Sequence, residues 1–261
     1  LLARPEEARR DALLIGRPVQ SNFWKSLGKI FSVMRKLRHQ KRDNSASNRG
    51  QMAVVAILTA ARDVLVEEGY PRLTMRNVAT RAGITVGNLS YYYANKRDLM
   101  HDLVEAVLQG YFEDFEKITD NLEISPEERF EEMVRFIIGD LATKETTGFF
   151  PALWALANHD AFAAQEMAHI YQMERDSLAK VIGQLRPDLG KKERDLLALF
   201  ISASMEGHTM FVGYRRDKAS AIAEVTNIAV YSFLTLVKSI EARSIRGLKP
   251  VGKSAGKRLA S

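Results

Sequence analysis

Residues 74–99, TMRNVATRAGITVGNLSYYYANKRDL, contain two short helical segments followed by the start of a third. Thr74 is a favourable N-cap for the first segment, and Gly83 ends it after about two turns because glycine tolerates the left-handed conformation. Thr85 caps the second segment. Two short helices joined at Ala82-Gly83-Ile84 predict a tight helix-turn-helix. This spacing is only moderately specific on its own, since many helical proteins contain a similar corner.

The same helical period runs through most of the chain. Apolar residues recur at intervals of three and four, while alternation with β-branched residues is scarce, so the predicted fold is all-α. Asn48 and Gln51 form a predicted capping box at the first helix, and Asn95 caps the helix that begins at Lys96. Around the 74–99 stretch, the predicted helices cover 50–68, 97–119, 126–144, 148–158, 161–185, 191–214 and 219–243.

Composition excludes several classes of protein. The chain has 261 residues and no cysteine, so it has no disulfide and no thiolate metal site, and a cytoplasmic location is expected. We expect no run that is long and apolar enough to cross a bilayer, and no stable membrane insertion. The chain begins with Leu1, and Met34 or Met52 is an alternative translation start.

Charge divides the chain into four parts. Residues 1–48 carry eleven Lys/Arg against four Asp/Glu, a net charge of +7, and residues 243–261 carry six against none. Residues 101–242 carry 14 against 24, a net charge of −10. We therefore predict a basic N-terminal extension (1–48), a helix-turn-helix domain (49–100), a second helical domain (101–243) and a basic tail (244–261).

The second short helix suits the DNA major groove, with its N-terminal residues toward base edges. Gly87 lets the backbone approach the duplex closely, Asn88 can donate to and accept from adenine, and Val86 can pack on a thymine methyl group. The hydroxyls of Tyr91 and Tyr92 can reach phosphate oxygens. For the tyrosines alone, a polar-edged core corner or a protein interface is an equally good explanation.

Two basic residues fit the same interface. Lys96 stands at a helix N-terminus, where free N–H groups already favour an anion, and is expected to hold a phosphate. Arg76, on the preceding helix, is expected to read a guanine edge or to hold the backbone. Tyr93, at the end of the second helix, is expected to turn inward.

The 50–100 segment resembles the DNA-binding domain of the TetR family of bacterial regulators. The resemblance rests on the turn, a glycine, the aromatic residues and a lysine in register: Thr74, Ala79, Ala82, Gly83, Thr85, Gly87, Leu89, Tyr92, Tyr93, Lys96 and Leu99. It implies that bases are read at Arg76, Val86, Asn88 and Tyr91, and that phosphates are bound at Thr74, Thr85, Tyr92 and Lys96. Ser90 departs from the family, which usually has tyrosine there, so its phosphate contact has a shorter reach.

The resemblance also implies a C-terminal domain that binds a small molecule and forms a homodimer. The sequence offers a mostly aromatic set for an apolar cavity, which would take a hydrophobic or amphipathic effector: Phe149, Phe150, Trp154, His159, Phe162, Tyr171, Met173, Met205 and Phe211. Two helical faces are candidates for the dimer interface: Leu199, Ala203, Gly207, Met210, Val225, Ala229 and Leu236. Ordinary intrachain core is the alternative for both sets.

Together these features predict a ligand-responsive transcriptional regulator, a repressor that binds palindromic double-stranded DNA. No catalytic residue, metal site or cofactor is expected, because the five histidines lie far apart and lack the partners of a triad or a closed metal site. The alternative is a membrane-surface protein, in which residues 22–42 form a basic amphipathic helix.

Overall fold

The computed structural model describes residues 44–245 and 247. Every regular element in that part of the chain is a helix, which confirms the all-α prediction. The α-helices are α1 (Asn44–Glu68), α2 (Met75–Arg81), α3 (Val86–Tyr92), α4 (Lys96–Thr119), α5 (Pro126–Leu141), α6 (Lys144–Ala157), α7 (Ala161–Leu185), α8 (Lys191–Glu206), α9 (His208–Phe211), α10 (Ile222–Ser239) and α11 (Ala242–Ile245). Segment 22–42 and nearly all of the basic tail lie outside the described residues.

Side-chain caps set the boundaries of the helix-turn-helix. All three predicted caps are present: Thr74 accepts from the Asn77 N–H at 3.2 Å, Thr85 from Asn88 at 3.1 Å, and Asn95 from Asp98 at 3.0 Å. Each cap satisfies an amide that the helix leaves without a partner. Between α2 and α3, Gly83 has a φ of +68°, the left-handed conformation expected from the sequence.

A small apolar core fixes α3 on α1, α2 and α4. Leu89 is the inward anchor of α3 and is fully buried, together with Leu65, Val78 and Leu99 from the three surrounding helices. Burying one such side chain contributes about 1.5–3 kcal/mol. The remaining residues of the seven-residue α3 are therefore held in a fixed orientation at the surface.

The C-terminal helices pack around α7, which contacts α4, α5, α6 and α8. Their core includes the fully buried rings of Phe130, Phe136 and Phe149. Helix α4 belongs to both halves of the molecule: it starts beside α3, and its later turns pack on α5 and α7. The predicted division at residue 100 falls within this continuous helix.

Several helix boundaries differ from the sequence prediction: α5 ends at Leu141, α6 begins at Lys144, and α10 covers Ile222–Ser239. Helix α1 begins at Asn44, so Asn48 and Gln51 lie within the helix and not at its predicted start. The predicted 191–214 helix ends at Glu206, and a short helix and a turn follow Gly207. The His208 ring nitrogen Nδ1 lies 2.9 Å from the carbonyl oxygens of Ser204 and Met205, at the point where the α8 hydrogen-bond ladder stops.

The expectation about membrane-spanning runs was also wrong. Segment Ala219–Ser239 is long and apolar enough to cross a bilayer, by length and composition, with a mean hydropathy of 1.5. One face of α10 is buried through Val230, Phe233 and Val237, and this helix packs on α5. Packing within the chain therefore accounts for part of the apolar character of this segment.

Two glycines with open space around them give opposite predictions. No heavy atom would lie within 4 Å of a Cβ added at Gly83 or Gly139. Gly83→Ala should destabilise the protein by about 1 kcal/mol, because alanine is strained at positive φ. Gly139→Ala, in the interior of α5, should stabilise it by about 0.5–1 kcal/mol. Urea unfolding measures both changes, and equal effects of the two substitutions would contradict the left-handed assignment.

Candidate nucleic-acid interface and effector cavity

Helix α3 exposes a row of both polar and apolar residues to solvent. Tyr91 is 83% exposed and Val86 is 44% exposed. Gly87, Asn88 and Ser90 are also exposed. The backbone N–H of Asn88 is held by the Thr85 cap, while its side-chain amide stands on the exposed surface. The surface thus combines a planar amide, an apolar contact and a phenol on one rigid helix.

The other residues proposed for DNA contact lie on α2, at the N-caps of α2 and α3, and at the end of α3. Thr74 and Arg76 are exposed at the start of α2, and Thr85 is exposed at the start of α3. Tyr92 is half-buried, and its ring lies edge-on to Tyr91 with centroids 5.1 Å apart. Most of these candidates are therefore exposed on the helix-turn-helix, and DNA contact by each of them remains a prediction.

Tyr93 turns inward, as expected from its position at the end of α3. Its ring is buried, and its hydroxyl donates to Asp102 on α4 at 3.2 Å. This bond ties the end of α3 to the second turn of α4.

The Lys96 ammonium group, which the sequence predicts to hold a phosphate, already contacts Tyr70 within the chain. Its Nζ donates to the Tyr70 carbonyl at 3.2 Å and lies 3.6 Å from the centroid of the Tyr70 ring. Partial burial lowers the pKa of Lys96 below its ordinary value. A phosphate at this position would have to compete with the Tyr70 carbonyl for the ammonium group.

A charged junction joins α1, α2 and α6. Glu67 on α1 accepts from Arg81 of α2 at 2.8 Å and from Lys144 of α6 at 3.2 Å. Hydrogen bonds from both cations lower the pKa of Glu67. One turn along α6, a Cβ added at Gly148 would lie 2.9 Å from the carbonyl oxygen of Val66, so α6 and α1 are in close backbone contact.

The C-terminal domain contains a cavity of about 30 Å³ between α4, α5, α6, α7 and α8. It is lined by Tyr111, Phe115, Ile137, Asp140, Leu141, Thr146, Phe150, Ile170, Tyr171, Glu174 and Glu206. The volume accommodates a small polar group. Three carboxylates among eleven lining residues make the cavity far more acidic than the sequence prediction of an apolar pocket.

Only two of the nine residues predicted to bind the effector line this cavity, namely Phe150 and Tyr171. Phe149 and Met205 are fully buried core, and Met173 packs beside that core. Trp154 donates through Nε1 to the Tyr171 hydroxyl at 2.8 Å, so it supports the wall from behind.

The other three predicted residues lie at the surface. His159 is exposed and Phe211 is 71% exposed, while Phe162 stacks on His101 with centroids 4.5 Å apart. These three residues do not line this cavity, because helical spacing does not reveal which face of a helix turns inward, and effector binding by them stays a prediction.

A buried hydrogen-bond network forms one wall of the cavity. Asp140 Oδ2 accepts from the hydroxyls of Tyr111 and Thr146, the latter at 2.7 Å. Burial raises the pKa of Asp140 to about 6, although these two hydrogen bonds oppose the shift. The network joins α4, α5 and α6 at a single carboxylate.

The opposite wall carries two more acids. Burial raises the pKa of Glu174 to about 7, and burial together with repulsion from Glu174 raises that of Glu206 to about 8. Burial also strongly raises the pKa of the Tyr171 phenol. All three carboxyl groups are thus poised to exchange protons near neutrality.

The sequence prediction of the cavity did not include its acids, although the position of two of them on apolar helix faces is a recognisable signal. Asp140 follows Phe136 and Ile137 on the buried stripe of α5, and Glu174 stands between Ile170 and Leu178 on that of α7. A carboxylate at a buried position of an apolar stripe indicates a functional or hydrogen-bonded acid, since unpaired buried charge is costly.

The residues of the candidate dimer face differ in exposure, and the role of the exposed ones in an interface stays a prediction. Leu199, Ala203, Gly207 and Met210 are exposed, whereas Val225 and Leu236 are half-buried. Ala229 is only 6% exposed and packs within its own chain, so its assignment to an interface was wrong. The exposed side of α10 carries Ile228 and Tyr231 instead.

One group of potential metal ligands occurs in the described part of the chain. Ligand atoms of His101, Asp102 and Glu105 lie within 4.8 Å of one another near the start of α4. All three side chains are partly exposed. Asp102 already accepts from Tyr93, and His101 is stacked on Phe162.

A capped helix-turn-helix with an exposed second helix, joined to a helical domain with a polar cavity, defines a helix-turn-helix transcriptional regulator. The family model for bacterial regulatory proteins of the tetR family matches residues 57–103. The model for the C-terminal domain of BetI-type transcriptional repressors matches residues 126–229. The chain belongs to the TetR family.

Individual relatives agree with this assignment. The chain is 26% identical over 147 residues to a Bacillus subtilis (strain 168) protein called "Probable HTH-type transcriptional regulator YttP", covering 55% of this chain and 67% of the relative. A TetR transcription regulator from Haloarcula marismortui has a TM-score of 0.59 at 15% identity, over 70% of this chain and 96% of that one. The regulator FadR of Bacillus subtilis, solved with stearoyl-CoA, has a TM-score of 0.52 at 16% identity, over 71% and 98%. At these identities the two solved structures show a shared fold.

The buried acids predict an unusual pH dependence of stability. An acid whose folded pKa is raised binds more protons in the folded state, so stability is greatest below the unfolded pKa and falls as the pH rises. For Glu206, this loss of stability occurs as the pH rises from about 4.5, the ordinary pKa of glutamate, to about 8, its pKa in the folded protein. We expect Glu206→Gln to reduce the loss by on the order of 1–3 kcal/mol between about pH 5 and pH 9.

Urea unfolding across that pH range measures the effect. Glu132→Gln, at an exposed position on α5, is the matched control and should follow the unmodified protein. A Glu206→Gln variant with an unchanged pH profile would show that this carboxyl does not titrate in the cavity.

Proposed function

We propose that this regulator is a cytoplasmic, effector-released repressor that binds a palindromic operator as a homodimer. One observation carries the proposal. Helix α4 begins beside the recognition helix, and farther along the same helix Tyr111 and Phe115 line the cavity. A change in the cavity therefore has a continuous helix through which it can move α3.

The recognition step would use the exposed row of α3 in the major groove. Leu89 and the Tyr93–Asp102 bond fix the helix from behind, so base edges would meet an already ordered surface. Asn88 would read adenine through its amide, and Val86 would pack on a thymine methyl group. Arg76 and Tyr91 would complete the base contacts, while the phosphates would be held around them.

Dimerisation would occur through the exposed apolar side of α8, α9 and α10. Helices α8 and α10 are neighbours, and α8, α9 and α10 together expose large apolar side chains: Leu196, Leu199, Phe200, Met210, Phe211, Ile228 and Tyr231. A patch of this kind on a monomer would be costly in water. A two-fold interface would bury the same patch on both copies, with Ala203 and Gly207 allowing close approach of the helices.

Release would follow from effector binding at the cavity. Tyr111 of α4 and Thr146 of α6 both donate to Asp140, so a ligand that engages this carboxylate disturbs two helices at once. Helix α6 in turn contacts α1 at Gly148 and binds Glu67 through Lys144. A tenfold loss of operator affinity needs only about 1.4 kcal/mol of coupling between the two sites.

Selection of duplexes from a random pool tests the recognition step. The unmodified protein should select an inverted repeat with half-sites about one helical turn apart. Asn88→Ala should lose about 1–3 kcal/mol of discrimination at one base position per half-site and leave the others unchanged. Identical preferences with and without Asn88 would remove it from the reading surface, and failure to select any duplex would refute the proposed function.

A charge placed in the apolar patch tests the interface. Tyr231→Glu should convert the dimer to a monomer in sedimentation at micromolar concentration, because an unpaired carboxylate would be buried between the copies. Met52→Glu is the control, since Met52 is 68% exposed but lies on α1. A protein that stays dimeric with glutamate at position 231 must use another surface.

A further inference from the structure

We propose that the effector is an organic cation with an N–H-bearing ammonium head and an apolar body. The inference rests on the proposed function of the cavity as an effector site and names the class of ligand that this site takes. It is carried by three buried carboxylate oxygens, by the absence of a cation in the cavity wall and by the aromatic rings beside them.

The cavity contains hydrogen-bond acceptors that the described chain does not satisfy. Asp140 Oδ1, Glu174 Oε1 and Glu206 Oε2 are buried and have no hydrogen-bond partner among the described residues. Asp140 and Glu174 are only 3% and 4% exposed, and all three side chains line the cavity. Native proteins pair such groups, so each free oxygen indicates an absent donor.

No counter-charge stands within the described cavity wall. Its eleven residues include three acids and no lysine, arginine or histidine. Arg175 on α7 acts on Glu174 electrostatically, whereas Asp114 and Glu145 add further negative charge near Asp140. Burying carboxylates without a partner costs several kcal/mol for each ion, and a bound cation would offset that cost.

An ammonium group with N–H donors fits these acceptors better than a quaternary ammonium group. A primary ammonium donates three hydrogen bonds, whereas a quaternary nitrogen donates none and would leave the oxygens unsatisfied. The cavity of about 30 Å³ has room for such a head group. An anionic ligand would be repelled by the same three side chains.

Aromatic and aliphatic side chains on the other walls suit an apolar body. The rings of Tyr111 and Phe150 meet edge-to-face with centroids 5.7 Å apart, and Phe115 lies beside Tyr111. Ring faces also attract cations at short range. A body longer than the head group must displace side chains such as Ile137 and Leu141, and that displacement is a direct route from binding to helix movement.

Calorimetry with four six-carbon probes tests the inference on the full chain. Hexylammonium should bind at least tenfold more tightly than hexan-1-ol, and hexanoate should bind more weakly than either. Hexyltrimethylammonium should bind at least tenfold more weakly than hexylammonium. Equal or tighter binding of the alcohol, the anion or the quaternary cation would overturn the proposal, as would no binding of any probe.

Matched variants locate the site. Glu174→Gln and Glu206→Gln should each weaken hexylammonium binding at least tenfold and leave hexan-1-ol unchanged, with folding verified by circular dichroism. Glu132→Gln, exposed on α5, should change neither. If the two cavity variants retain full affinity, the cation binds elsewhere and the proposal fails.

The pH dependence of hexylammonium binding gives a second readout. The groups facing the head are Asp140, Glu174, Glu206, Tyr111 and Tyr171. The three carboxyl pKa values of about 6, 7 and 8 mean that a cation must displace protons, whereas a primary amine stays charged up to about pH 10. Affinity should therefore rise between about pH 6 and pH 8. A pH-independent affinity would contradict binding at these acids.

The two proposals fail separately. If the protein binds its selected duplex and hexylammonium does not bind the cavity, only the ligand class is wrong. If no duplex is bound, the regulatory function is wrong, while calorimetry still reports on the chemistry of the cavity.

Discussion

Helix α4 is shared by the two halves of the protein, and this sharing is the constraint on which the rest of the structure depends. Near its start, Leu99 and Leu103 are fully buried, and Asp102 holds the hydroxyl of Tyr93. Farther along, Tyr111 and Phe115 line the cavity. Because α4 is continuous between these two contacts, the proposed effector response would pass along it from the cavity to α3. In the proposed mechanism, an effector would act by preferring one position of α4.

The second connection, through α6, acts on the other side of the helix-turn-helix. Gly148 allows backbone contact with α1, and Lys144 shares Glu67 with Arg81 of α2. These exposed ion pairs contribute little stability themselves. Their importance lies in geometry, since α6 also carries Thr146, which binds the buried Asp140. Both connections therefore end at the same carboxylate.

The buried acids of the cavity are expected to lower the stability of the fold, and the same acids form the proposed ligand site. Burial raises the pKa of all three acids, and repulsion from Glu174 and Asp140 adds to the rise at Glu206. The acids are therefore expected to destabilise the fold as they ionise, which an ordinary core would avoid. Such a cluster makes physical sense where a ligand supplies the opposite charge. The acidity of residues 101–242, visible as a net charge of −10, thus includes a few charges that are not solvated at the surface.

Local chemistry in the sequence determined the all-helical fold, the Thr74, Thr85 and Asn95 caps, the left-handed turn at Gly83 and the resemblance to TetR regulators. These features depend on residues a few positions apart, so a single stretch contains all the information they need. Only the tertiary structure decided which acids line the cavity, that Phe211 faces solvent and that Ala229 faces inward. Those outcomes depend on which face of each helix meets its neighbours, and several apolar faces of similar period compete for the same core.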